Sequence, residues 1–246
     1  MTMTIVGVLL TAFVIVLVAA AVQAMTGFGF SMLAVPLMTL AIDPRTAVVA
    51  LALPGLLLAV GTAVADRAYV HWPAAVAMLA TMAAGMPIGL VVLRNVNDHV
   101  LTVLIAVVVL ASTALVWRNP QIPRHRGTLA LAGLTAGILS TTTGTTGPPL
   151  IAALHSMGYP PRTLRGTIAA LFTFGGVLSI AGFVVAGAMT RQTAVVGLVS
   201  LPAVPIGGWV GNILFRRIDG SRFRQTVLAA LVICCLLAVA RTVKGL

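Results

Sequence analysis

The chain has 246 residues, 60% of them hydrophobic and 8% charged, with a mean hydropathy of +1.12. This balance excludes a soluble globular domain and predicts an all-α polytopic membrane protein whose first partner is the lipid bilayer. The net charge of +11 does not indicate nucleic acid, because Lys and Arg lie mainly at the ends of apolar stretches, where they orient the chain and snorkel.

In chain order the apolar stretches cover 4–24, 28–42, 46–65, 72–93, 100–117, 128–139, 148–157, 163–189, 193–215 and 226–240. Several reach the roughly 20 residues that cross a hydrocarbon core. The first is read as mature structure, since no Lys or Arg precedes Arg45 and the basic start of a secretory signal is missing. Cys234 and Cys235 are adjacent within the last stretch and have neither disulfide nor metal-site spacing, so packing is their expected role. No metal and no cofactor is expected, and the oligomeric state is open.

An internal repeat organises these stretches. Thr26-Gly27 recurs as Thr143-Gly144 and Pro44-Arg45-Thr46 as Pro161-Arg162-Thr163, both 117 residues on; Pro87-Ile88-Gly89 recurs as Pro205-Ile206-Gly207, 118 residues on. The expected division is a first repeat over 1–118, a cytoplasmic linker over 119–127 and a second, inverted repeat over 128–246, together forming one transmembrane domain. Each repeat opens with a re-entrant or broken-helix hairpin followed by three transmembrane helices.

Charge supports the re-entrant form. If each hairpin enters and leaves on one side, Arg67, Arg118, Arg124, Arg126, Arg162, Arg165, Arg216, Arg217, Arg222 and Arg224 share one face of the membrane, against Arg45, Arg94, Arg191, Arg241 and Lys244 on the other. The positive-inside rule then puts the first set in the cytoplasm and both termini outside, in the plasma membrane of a bacterium. A single crossing by each hairpin leaves no bias. Residues 128–158 are also too few for two full crossings, which need roughly 60 Å at ~1.5 Å per helical residue.

Non-helical backbone survives at membrane depth only when buried in protein or lining a wet cavity. The stretches Thr26-Gly27-Phe28-Gly29-Phe30 and Thr143-Gly144-Thr145-Thr146-Gly147-Pro148-Pro149 therefore read as two hairpin tips meeting near the midplane. Glycine permits the reversal, and proline suits the first turn of the returning half-helix. Helix N-termini at the tips, with threonine hydroxyls, form a design for holding a small anion. Gln23, three residues before Thr26, is a further candidate donor, or else a partner of the hairpin backbone.

These stretches, "TGFGFSMLAVPLM" and "TGTTGPPLIAALHSMGYPPRTLRGT", resemble the paired motifs of the TauE/SafE family of sulfite and organosulfonate exporters, in the 4-toluene sulfonate uptake permease superfamily. The resemblance implies a secondary carrier of small sulfur-containing or carboxylated anions. The chain departs from the family pattern at Phe30, which follows Gly29 where consecutive glycines are common. It departs again at Thr145-Thr146, between Gly144 and Gly147, and at Gly166, where alanine is common.

Asp43, Asp66, Asp98 and Asp219 are the only acids and all lie near stretch ends, which argues against a carboxylate proton relay or an aspartyl protease. Arg45 and Arg162 are repeat-equivalent and read as snorkelling residues. Arg165 has Val48 as its counterpart, so a cation present in one half alone is a candidate for attracting substrate. His155 and His71 are candidates for proton coupling. Trp72 and Trp117 read as interfacial anchors, whereas Trp209, after the repeated Pro-Ile-Gly and Gly208, is a candidate gating residue.

The function expected is a secondary transporter that alternates access around a small anion held between the tips, with export inferred from the resemblance alone. A passive anion channel or a carboxylate carrier is the alternative within transport. An enzyme or assembly partner is disfavoured because no nucleophile with its base, metal spacing or nucleotide loop occurs.

Overall fold

The computed structural model describes residues 5–26, 29–118 and 125–215. The last apolar stretch with Cys234 and Cys235, most of the linker, and Gly27 and Phe28 lie outside these. The helices are α1 (Ile5–Thr26), α2 (Phe30–Thr39), α3 (Pro44–Ala65), α4 (Trp72–Asn95), α5 (Asp98–Arg118), α6 (Arg126–Thr142), α7 (Gly147–Ser156), α8 (Pro161–Val185), α9 (Arg191–Ser200) and α10 (Ala203–Phe215). A short 3₁₀ turn, Arg67–Tyr69, joins α3 to α4. Six segments among the described residues are long and apolar enough to cross a membrane: α1, α3, α4, α5, α8, and α9 with α10. The protein is an all-α polytopic membrane protein.

Local chemistry sets these boundaries. The Asp43 carboxylate accepts the Thr46 N–H at 2.8 Å and Pro44 opens α3, while the Thr190 hydroxyl accepts the Thr193 N–H at 3.2 Å at the start of α9. The expected single span over 193–215 is interrupted at Leu201-Pro202, because Pro202 has no N–H to continue the helix; the Val204 N–H bonds the Leu201 carbonyl instead.

A displacement of 117 residues carries α2, Phe30–Thr39, onto α7, Gly147–Ser156, end to end. The opening helices match less closely. With 22 residues α1 is about 33 Å long at ~1.5 Å per residue, longer than a half-helix and long enough to cross a membrane, whereas α6 has 17 residues.

The hairpins exchange partners. Helix α6 packs against α4, the third long helix of the first half, and α1 packs against α10 of the second. Both interfaces are built on glycines facing backbone. A Cβ on Gly85 or Gly89 of α4 would collide with the carbonyls of Leu134 or Ile138, and one on Gly133 or Gly137 of α6 with those of Met78 or Met82. Gly207 and Gly211 of α10 face the carbonyls of Leu17 and Ala21 in the same way. Close backbone approach yields van der Waals contact where lipid supplies no hydrophobic drive between helices. The Pro-Ile-Gly glycines thus serve packing. Gly208, next to Gly207 on α10, has nothing within 4 Å of its Cβ position.

These contacts also give direction. Along α4 and α6 the facing residues rise together, so the helices run the same way, as do α1 and α10; α8 runs against α3, since Gly166 meets Asp66 and Gly176 meets Leu56. The hairpin α1–α2 consequently opens from the end of the bundle that holds Arg45, and α6–α7 from the end that holds Asp66. The registers differ: Gly89 faces Ile138, but its counterpart Gly207 faces Leu17, whose own counterpart is Leu134. The difference is one helical turn, about 6 Å.

The outer surface is apolar, with Leu10, Val14, Val64, Val76, Val91, Val107 and Val185 exposed. A buried cluster centred on α1, α2, α3 and α5 fills the interior, and a second joins α4, α6, α7 and α8.

Candidate functional site

The row of hydroxyls from Ser140 to Thr146 divides into two jobs. Those still on α6 secure the helix. The Thr141 hydroxyl donates to the Met86 carbonyl at 3.0 Å, and that of Thr142 to Ile138 at 2.7 Å and to Gly89 at 3.3 Å, which stitches α6 to α4. The Thr143 hydroxyl donates to Leu139 at 3.1 Å and is fully buried. Only beyond Gly144, whose φ of 69° is in the left-handed region that favours glycine, does the chain turn into the tip proper.

Between the tips lies a cavity of about 100 Å³, well above the ~10–15 Å³ that one water requires. It is lined by Gln23, Gly29 and Phe30 of the first hairpin and by Gly144, Thr145, Thr146, Gly147 and Pro148 of the second, so residues named from sequence in both halves meet at one place. Thr143 is not among the lining residues. Thr26 ends α1, and Gly27 and Phe28 fall outside the described residues.

The donors around this cavity are uneven. In the first hairpin the Gln23 side-chain oxygen accepts the Phe30 N–H at 2.9 Å, closing the turn and fixing the amide at the cavity wall. The Leu33 N–H bonds the Gly29 carbonyl, and helix geometry leaves the Ser31 and Met32 N–H groups without an acceptor inside α2. Their counterparts in α7 are Pro148 and Pro149, which have no N–H. Helix α7 therefore offers only the Thr146 and Gly147 N–H groups and the Thr146 hydroxyl, which makes no capping bond. The expected pair of equivalent helix-end donors is lopsided, and α2 carries more of it.

Sequence reasoning missed Ser31, Ser140, Ser179 and Phe172, all of which line the cavity. Ser140 is the repeat counterpart of Gln23, a signal that was available; it donates to Gly137 at 2.8 Å and accepts from Ser179 at 3.3 Å. The rest of the wall is apolar, from α3 (Val48, Leu51, Leu56), α4 (Met82) and α8 (Phe172, Phe183). Each lining side chain among the described residues is uncharged.

Other sequence candidates lie elsewhere. Arg165 places its Nε 2.9 Å from Asp66 Oδ2 at one end of the bundle, with its side chain 64% exposed; it is not in the cavity, whereas its counterpart Val48 is. The reason is Asp66, which ends α3 and sits against the start of α8, where a Cβ on Gly166 would lie 2.8 Å from the Asp66 carbonyl. That contact also explains glycine at position 166. His71 caps α4 by accepting the Ala74 N–H on its ring at 3.3 Å and packs on Tyr159 with ring centroids 4.7 Å apart, while its backbone N–H donates to the Thr167 hydroxyl at 3.0 Å. His155 is exposed on the last turn of α7, and Trp209 is 67% exposed on the outer face of α10. None of the three lines the cavity.

Arg162 donates to the Tyr69 hydroxyl at 3.2 Å and lies 5.5 Å from its ring centroid, while Arg45 bonds the Val96 carbonyl and lies 3.5 Å from Asp98. Both side chains are engaged by local partners, and neither lines the cavity. Trp72 is half-exposed against the edge of Phe174.

The family model described as Sulfite exporter TauE/SafE matches residues 12–238, nearly the whole chain. No curated protein and no solved structure matches it. With two broken hairpins meeting at one cavity and this match along its length, the chain belongs to the TauE/SafE sulfite exporter family, a family of membrane transporters and not of enzymes.

Proposed function

We propose that the protein is a secondary carrier which exports a small sulfur-containing anion, a sulfonate or sulfite, by alternating access around the cavity between the hairpin tips. The observation that carries this reading is the convergence of Gln23, Gly29 and Phe30 with residues 144–148 from the other half on one cavity. Broken helices that meet at the centre of two related halves are the recurrent substrate site of such carriers. The anion is held by neutral groups: the Ser31, Met32 and Gly147 N–H groups, the Thr146 N–H and hydroxyl, and the Gln23 amide.

Opposite entry of the hairpins supports inverted halves. The grouping of Arg67, Arg162 and Arg165 at one end and of Arg45 and Arg94 at the other agrees with the topology that places the first group in the cytoplasm. That topology puts the protein in the plasma membrane of a bacterium with its termini outside.

Counterflow in liposomes tests the reading. Vesicles carrying the full-length protein and loaded with sulfite or a sulfonate are diluted into trace labelled anion. Transient accumulation against the gradient supports a carrier. Flux that never saturates and shows no counterflow supports the passive channel instead, and absence of flux with every sulfur oxyanion or small carboxylate refutes both.

A further inference from the structure

Phe30 interrupts the run of glycines in the first tip, and the structure accounts for it by an exchange between the halves. Its ring lies on α3 with Cε1 3.5 Å from the Cβ position of Gly55. In the second half the residue equivalent to Phe30 is Gly147, and the residue equivalent to Gly55 is Phe172. The Phe172 ring lies on the tip, with its Cζ 3.4 Å from the Cβ position of Gly147. Each half thus places one phenyl ring between the first turn of its returning helix and the long helix that follows. The ring comes from the tip in one half and from the long helix in the other, and a glycine makes room for it in both. Both rings line the cavity.

We propose that Phe30 and Phe172 are paired specificity walls that seat the hydrocarbon part of an amphiphilic anion whose charged head rests on the tip donors. The proposal rests on the anion-carrier reading and goes further by naming the substrate class. Polar groups come from the tips and the Ser140–Ser179 pair, while Val48, Leu51, Leu56 and the two rings give the cavity an apolar lining beside them. An inorganic oxyanion is polar over its whole surface and gains nothing from that wall. An anion bearing a short alkyl group satisfies both kinds of lining at once, and each methylene removed from water strengthens binding.

The test is binding to the purified full-length protein in detergent by methane-, ethane- and propanesulfonate, with sulfite and sulfate as inorganic probes. The wild type is expected to bind about threefold to fourfold tighter for each added methylene. Phe172→Ala and Phe30→Gly should each flatten that dependence while methanesulfonate binding changes least. The double variant Phe30→Gly/Gly55→Phe, which gives the first half the arrangement of the second, should restore it. A wild-type series with no chain-length dependence, or tightest binding by sulfite or sulfate, overturns the wall assignment and leaves the anion site standing. Phe172→Ala keeping the full dependence also overturns it, and this arm stands if the double variant fails to fold. Failure of every anion to bind overturns the carrier reading and this inference with it.

Discussion

Replacing Gly89 by alanine tests how tightly the second hairpin is held. The new Cβ would run into the Ile138 carbonyl and the Thr141 hydroxyl, and would lie 2.8 Å from the Thr142 hydroxyl. None of these can turn away freely, because Thr141 bonds the Met86 carbonyl at 3.0 Å and Thr142 the Gly89 carbonyl at 3.3 Å. Separating α4 from α6 to make room is an overpacking cost of about 1–3 kcal/mol. Weakening the two interhelical hydrogen bonds adds about 0.6 kcal/mol each in a membrane setting. Alanine's better helix propensity offsets roughly 1 kcal/mol, which leaves a net loss of about 1–3 kcal/mol. The matched control is Gly208→Ala on α10, where the Cβ meets nothing within 4 Å and only the propensity gain applies. Thermal unfolding of the detergent-purified protein, followed by circular dichroism, should rank Gly208→Ala at or above wild type and Gly89→Ala well below it. Equal stability of the two variants would refute the glycine-to-carbonyl account of how α6 is seated.

Further outcomes separate the tip from its supports. Thr146→Val should weaken anion binding about tenfold or more, the scale of one hydrogen bond to a charged group, whereas Thr143→Val, whose hydroxyl is committed to Leu139, should leave affinity nearly unchanged; titration by thermal shift compares them. Arg165→Gln should leave anion affinity unaltered, since the Arg165 side chain is committed to Asp66 at one end of the bundle; a large loss of affinity would restore Arg165 to the site. His71→Ala should lower stability by about 0.5–2 kcal/mol through the lost cap of α4 while the ligand-induced stabilisation stays the same, which coupling by His71 would not allow.

Much of this architecture was legible because broken backbone in a membrane leaves marks in sequence. Gly, Pro and Thr at matched positions located both tips, and the same offset superposes α2 on α7. Other features left weaker marks. Leu51, Leu56 and Phe172 line the cavity from long apolar helices, where an inward residue reads like a lipid-facing one. Arg165 looked unpaired because Asp66, its partner, is 99 positions away and belongs to the other half. The threonine run looked uniformly like a binding element, yet Thr141, Thr142 and Thr143 spend their hydroxyls on backbone carbonyls, a distinction that depends on where α6 stops. Gly89 and Gly208 are alike in sequence, and only the facing helix tells them apart.

The exchange of hairpins between halves has a consequence for how the chain is made. Helix α6 finds its groove on α4 soon after it is synthesised, because Gly137 meets Met82 only 55 positions earlier. Helix α1 must wait for Gly207 and Gly211, 190 positions after Leu17 and Ala21. At about 5–20 residues per second that interval is roughly 10–40 seconds. Throughout it α1 has no permanent neighbour on the face that α10 will cover, so the nascent protein depends on lipid or the insertion machinery to shield it. Helices α1 to α5 are therefore not an independent folding unit, because α10 completes the seat of α1.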